Sequence, residues 1–332
     1  MDPGELWKMI SNSLRRVSQK KLKDRTYRGG HKYSIWIVVK LYLLSLLRGD
    51  SPRILYGRIL GTKGFRRHYG LPNRLISLSQ YKKRLKTPLF AQALREVLEY
   101  SAAKALRQLG ESENSVLMAD LTTLRSNPRK DPKAAWGFDS KGLLYGYKLG
   151  LIISKGGVVL GMTFMTGNWT EFRAQRSLLR QARDSIQRAH RRVRVKEFLA
   201  DAGFDGEQTY RNSKNWLGAV ALIPPRRKVD PRGKSAQTIL MSAKRRTPHR
   251  WAAHLRWNEP LSRSIYRQRN EIERVNGQLK NSQFRIDDIP RRGKGVPCMS
   301  RLILGKLLLY NFSLNVNALL GRKLRVIRYL AA

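Results

Sequence analysis

Apolar residues follow two textures along this 332-residue chain. Through residues 1–110 they recur at helical spacing. Positions 35–47 are apolar almost throughout, and Asp50-Ser51-Pro52 then supplies a stop, a cap and a proline for a new first turn. Helical fragments continue over 53–60 and 89–109. Between them, residues 61–85 (GTKGFRRHYGLPNRLISLSQYKKRL) are turn-rich and then basic, with Ser79 a candidate cap for a short helix bearing Lys82, Lys83 and Arg84. That stretch reads equally as a helix-turn-helix entering a major groove and as a helical bundle with a basic surface.

From residue 115 the pattern changes to short apolar runs separated by turns. VLMAD (116–120) and VKEFLAD (195–201) each end in an acid. LLYGYKLGLIIS (143–154) and GVVLGMTFMTG (157–167) predict an antiparallel hairpin turning at Lys155-Gly156-Gly157. Residues 171–190 are helical, Asp205 and Gln208 match a capping box, and AVALIPP (219–225) is a strand stopped by prolines. After a basic, poorly patterned stretch (226–260), an amphipathic helix spans 266–280. The order is three strands, helix, strand, helix, strand, helix, a mixed α/β layer architecture. The apolar runs at 35–47 and 302–320 are not membrane spans: the first is too short and contains Lys40, and the second is broken by Lys306, Asn311, Asn315 and Asn317. Both predict buried helices.

Charge narrows the partner. Against 67 Lys+Arg stand 23 Asp+Glu, a formal net charge of +44 on a chain that is 41% hydrophobic. The apolar content excludes a disordered tail. The charge predicts self-repulsion unless a polyanion neutralises it, which makes nucleic acid, bound chiefly through phosphates, the expected partner. The lone Cys298 excludes intramolecular disulfides and fits a reducing cytosol, and the five histidines form no zinc-ligand spacing. With no signal pattern in MDPGELWKMI, a cytoplasmic, nucleoid-associated protein is expected.

Chemistry concentrates in YRQRNEIERVNGQLK (266–280). At about 100° per residue, Tyr266, Arg269, Glu273 and Lys280 fall within about 60° on one face, while Glu271 points about 160° from Glu273. Ile272, Val275 and Leu279 form the core-facing side. Alone, this helix reads equally as a solvated face with i,i+4 ion pairs. Asp120 and Asp201, each ending an apolar run, supply two more carboxylates. Three such acids suit a pair of hard Mg²⁺ or Mn²⁺ ions for phosphoryl transfer. Among rival acids, Asp139 in GFDSKG reads as a turn residue, Asp205 as the cap already named, and Asp287 and Asp288 as partners of Arg291 or Arg292.

These residues resemble a known family. The spacing Tyr266, Arg269, Glu273, Lys280 is similar to the signature of a large group of bacterial insertion-sequence DDE transposases. ADLTTL (119–124) and LADAGFD (199–205) resemble that group's first and second aspartate motifs, and the resemblance runs over roughly 115–320, through LLLYNFSLN. It implies an RNase H-like mixed sheet flanked by helices, with Asp120, Asp201 and Glu273 as catalytic metal ligands. It further implies contact of Tyr266, Arg269 and Lys280 with transposon-end DNA, recognition of terminal inverted repeats by the N-terminal helical region, and synapsis by a homodimer. The expected division is a DNA-end-binding region (1–110), a catalytic core (111–290) with a short insertion at 226–260, and a C-terminal helical segment (291–332). Only 71 residues lie between Asp201 and Glu273, which leaves no room for the large β-rich insertion of some relatives. Trp169, in TGNWTEF, is a candidate base-stacking residue whose alternative is a buried core position. A transposase-derived binding protein or nuclease without strand transfer is the rival reading. A non-catalytic RNA-associated protein would not need the three acids.

Overall fold

The computed structural model describes residues 3–18, 34–72, 75–139, 142–189, 193–225, 245–281, 284–292 and 295–322. The basic runs at 190–192 and 226–228, and the expected insertion up to residue 244, lie outside the described residues.

Among the described residues, seven helices come first: α1 (Pro3–Val17), α2 (Ile35–Arg48), α3 (Pro52–Gly61), α4 (Lys63–His68), α5 (Leu78–Arg84), α6 (Pro88–Gln108) and α7 (Glu111–Asn114). Their boundaries follow local chemistry. Ser34, Ser51, Ser77 and Thr87 each accept a hydrogen bond from the exposed N–H of the following first turn, and prolines open α3 and α6. The cap of α5 is therefore Ser77, accepting from the Gln80 N–H at 3.3 Å, and not Ser79.

Six described strands follow: β1 (Val116–Arg125), β2 (Ala135–Asp139), β3 (Gly142–Ser154), β4 (Val159–Thr166), β5 (Glu197–Ala200) and β6 (Val220–Leu222). β3 pairs antiparallel with β1, β2 and β4, while β5 lies parallel to β1 and β6 parallel to β5. The predicted β3–β4 hairpin forms at the predicted turn. Two expectations change. VLMAD does not stop at its acid: β1 runs on to Arg125, so Asp120 sits mid-strand opposite Leu151. Residues 135–139 are a strand of their own rather than a turn, because Asp139 closes a pairing with Gly142.

The remaining helices are α8 (Glu171–Arg188), α9 (Glu207–Asn212), α10 (Pro248–Trp257), α11 (Pro260–Tyr266), α12 (Asn270–Lys280), α13 (Ile289–Arg292) and α14 (Val296–Leu319). The helix expected over 266–280 is not continuous; a 3₁₀ turn at Arg267–Arg269 separates α11 from α12. The expected capping box at Asp205 does not form either. Gly206 occupies the cap of α9, and Asp205 is committed elsewhere.

α8 packs on the sheet across β3 and β4, while α12 meets β1 and α14 runs beside β4. Two side-chain amides close the outer edge of β4. Asn311 on α14 pairs with both the N–H (3.0 Å) and C=O (2.8 Å) of Val159, and Gln181 on α8 does the same for Met162. This satisfies backbone groups that would otherwise be left open. α6 packs on α8 and α14, and buried side chains run as one cluster from Leu6 to Val316. Among the described helices only α14 is long and apolar enough to cross a membrane, and 78% of its most apolar window is buried. It serves as a core helix.

Candidate active site

Parallel pairing of β1 with β5 sets Ala119 beside Ala200, so Asp120 and Asp201, one residue further along each strand, become lateral neighbours. β5 ends at Ala200, and Asp201 turns the chain: its Oδ1 accepts from the Gly203 N–H at 3.0 Å, capping the 3₁₀ turn Ala202–Phe204. α12 crosses over β1 with Ile272, Val275 and Leu279 buried. That orientation leaves Glu273 on the site side, more than half exposed.

Arg269 ties these elements together. Its guanidinium donates to Asp120 Oδ1 at 2.8 Å and to Glu273 Oε1 at 3.0 Å. Asn276 donates through Nδ2 to the second oxygen of Asp120 at 3.0 Å, and its buried Oδ1 has no hydrogen-bond partner. Burial pushes the Asp120 carboxyl up to about 6; Arg269 opposes the shift, and the charges of Asp201 and Glu273 add to it. Burial also raises Asp201, with the nearby Glu171 charge reinforcing it and Arg269 and the Gly203 and Phe204 N–H groups opposing. Tyr266 lies near the same three acids, half-buried and edge-on to Trp257 at 4.9 Å; burial raises its phenol.

Lys280 donates to the Thr123 carbonyl at 3.4 Å and pairs with Asp287 at 3.8 Å, so it flanks the site at β1. Glu271 turns the other way, into a pair with Arg274 beside Tyr310. The remaining acids depart from expectation. Asp287 meets Lys280, and Asp288 meets Arg285 at 2.7 Å, whereas the side chains of Arg291 and Arg292 lie outside the described residues. Asp139 is not an idle turn residue: it accepts from Arg125 and Thr123. Asp205 is fully buried, held by Arg250 through two hydrogen bonds, by His254 at 2.9 Å and by the Tyr210 hydroxyl at 2.9 Å.

Three expected DNA contacts are not gathered here. Lys82, Lys83 and Arg84 sit on α5 in the N-terminal helical layer, and no described contact links them to Asp120. Trp169 is 37% exposed rather than buried and stacks against the Arg173 guanidinium. Two residues were missed. Asn276 lies three positions after Glu273, on the same helical stripe, and that phase was readable. Glu171 has no sequence signal; it approaches Asp201 because residue 203 is glycine, where a Cβ would collide with the Glu171 carboxylate.

Among the described residues no three His, Cys, Asp or Glu side chains surround one point closely enough to hold a metal ion. The reason is visible: a guanidinium stands between Asp120 and Glu273. It is itself a cation held by two carboxylates, so the donor set, all hard oxygen plus the unpartnered Asn276 Oδ1, fits a divalent cation in its place.

Comparison with known proteins gives the family. The solved synaptic complex of piggyBac transposase with hairpin DNA is 12% identical, with 96% of this chain and 82% of that chain covered and a TM-score of 0.27, too low to carry an argument. No curated protein matches the chain. The family described as "Transposase DDE domain" matches residues 111–312, more than half of the chain and the segment that contains Asp120, Asp201 and Glu273. The chain therefore belongs to the family of DDE-domain transposases.

Proposed function

We propose that this transposase acts on the ends of an insertion sequence, hydrolysing the phosphodiester at each end and joining the freed 3′-hydroxyl to target DNA. The observation that carries this reading is the Asp120–Arg269–Glu273 bridge beside Asp201. It joins acids from β1 and α12 around a cation, next to the acid at the end of β5. The strand order β4-β3-β1-β5-β6, antiparallel then parallel, supports an RNase H-like core.

Asp120, Asp201 and Glu273 are the residues to hold two Mg²⁺ or Mn²⁺ ions, with Asn276 orienting Asp120. When bound, such ions supply Lewis acidity at the attacking and leaving oxygens. The protein's own groups do the rest. Arg269 and Lys280 carry fixed positive charge to the phosphates flanking the scissile bond. Tyr266, held by Trp257, offers a hydroxyl on the same side. The excess of cations over the whole chain steers duplex DNA to the site, in a salt-sensitive way. Lys82, Lys83 and Arg84 on α5 belong to the surface proposed to read the terminal inverted repeats, with two ends brought together by a homodimer in the cytoplasm.

The test uses DNA spanning the junctions that flank the gene. With Mg²⁺ or Mn²⁺, nicks leaving 3′-hydroxyl ends are expected at the junctions, and EDTA abolishes them. Nicking indifferent to EDTA, or duplex binding with no nicking in either metal, contradicts the reading.

A further inference from the structure

The β2–β3 hairpin leaves one aromatic face open. Pairing sets Trp136 opposite Tyr145 and Phe138 opposite Leu143, so all four side chains share one face of the pleat. Trp136, Phe138 and Leu143 are 56%, 71% and 56% exposed, and Trp136 meets Tyr145 edge-on at 5.1 Å. The reverse face is closed. Leu144 is buried there, and a Cβ at Gly137 would fall on the Gly167 carbonyl oxygen, so the hairpin is seated against the end of β4.

The same pleat puts this face on the side of the acids, with Tyr147 and Leu149 buried between them. Leu151 pairs with Asp120 and Tyr147 with Leu124, and residues 145, 147, 149 and 151 alternate onto one side of β3. The aromatic face therefore extends the Asp120 side of the sheet. Six residue steps separate Leu151 from Tyr145 along β3, about 20 Å. At the stacked spacing of duplex DNA, that span is roughly six nucleotide steps.

Charge decides the occupant. Arg129, Lys130 and Lys133 are exposed on the loop that leads into β2. The two acids of that region are engaged: Asp131 accepts from the Tyr147 hydroxyl at 2.7 Å, and Asp139 pairs with Arg125 at 3.1 Å. A second copy of the chain would bring the same cations face to face. It would also bury only four side chains a partner, well under the roughly 800 Å² of a stable interface. Exposed aromatics beside exposed cations are instead the combination that holds single-stranded DNA: bases stack on rings while cations track the backbone.

We propose that this face is a stacking platform for unpaired bases of the DNA strand led away from the cleaved phosphate. The proposal rests on the DNA-cleaving reading of the neighbouring acids. Its test compares the full chain with a Trp136→Ala/Phe138→Ala variant; both residues are exposed, so the fold is retained. Binding is measured by fluorescence anisotropy to a blunt duplex, to the same duplex with a tail of about six thymidines, and to one with an abasic tail of that length. The variant is expected to bind the thymidine-tailed duplex about tenfold or more weaker, with blunt-duplex affinity unchanged. The wild-type chain on the abasic tail should match the variant on the thymidine tail. An equal loss on blunt DNA, no loss at all, or a changed oligomeric state in place of a binding change overturns the proposal. Cleavage is not read here, so a wild-type chain that prefers tails but never nicks DNA sinks the transposition chemistry alone. A chain that nicks DNA but ignores the bases of its tail sinks the platform alone.

Discussion

Asp120→Asn and Asp201→Asn each lower metal-dependent strand cleavage by about 10³-fold or more while duplex binding is unchanged, the scale on which loss of one preorganised charge-handling group slows acyl or phosphoryl transfer. Asparagine at 120 keeps an acceptor for the Arg269 guanidinium, so the change is chiefly one of charge. Asp120 is an acid in the middle of β1, where burial raises its carboxyl to about 6, and a structural role would be filled more cheaply by an apolar residue. Asp201 does cap Gly203, but asparagine retains that acceptor. Parallel assays of cleavage and of gel-shift affinity separate the two effects. A loss confined to affinity counts against the assignment.

Asp205→Ala is the substitution expected to cost most in stability, about 1–3 kcal/mol in a denaturant titration, because it removes a fully buried carboxylate that accepts from Arg250, His254 and Tyr210. Arg250 would keep its guanidinium beside an empty pocket, and His254 and Tyr210 would each lose a hydrogen bond. The damage should reach the site. Asp205 stands four residues from Asp201 and, with Glu207 gripping His249 and the Arg250 N–H, fastens α10 to the turn that holds Asp201. Asp184→Ala is the control: its pair with Arg183 is about one-third exposed on both sides, and such pairs contribute less than about 1 kcal/mol. Equal destabilisation by the two substitutions would refute the anchoring role.

The contrast between these acids explains what the sequence could convey. Asp120 and Asp201 stood out because each ends an apolar run, and the parallel pairing of β1 with β5 that brings them together follows the return of the chain through α8 after the β2–β4 strands. The phase of Glu273 was legible because Ile272, Val275 and Leu279 define the opposite, buried face. The break at 267–269 was not legible. Tyr266 is held against Trp257 and Arg269 is drawn to Asp120, contacts that local propensity does not encode. The expected capping box at Asp205 fails for the same reason: its spacing to Gln208 matches a cap, while Arg250 and His254, which hold it, are 45 and 49 residues away. β2 escaped because its inward positions, half-buried Ala135 and buried Gly137, are small and its large ones, Trp136 and Phe138, face outward, inverting the usual strand signal. That inversion is also what exposes the proposed stacking face.

The central claim is that Glu273, not its neighbour Glu271, completes the set of acids. Glu273→Gln and Glu271→Gln assayed side by side for Mg²⁺-dependent nicking of the flanking-junction DNA test it most directly. Glutamine at 271 can still accept from Arg274, whereas glutamine at 273 removes a charge facing Asp120 across Arg269. The account predicts near-normal nicking by Glu271→Gln and a loss of about 10³-fold or more in Glu273→Gln. Normal nicking by Glu273→Gln contradicts it.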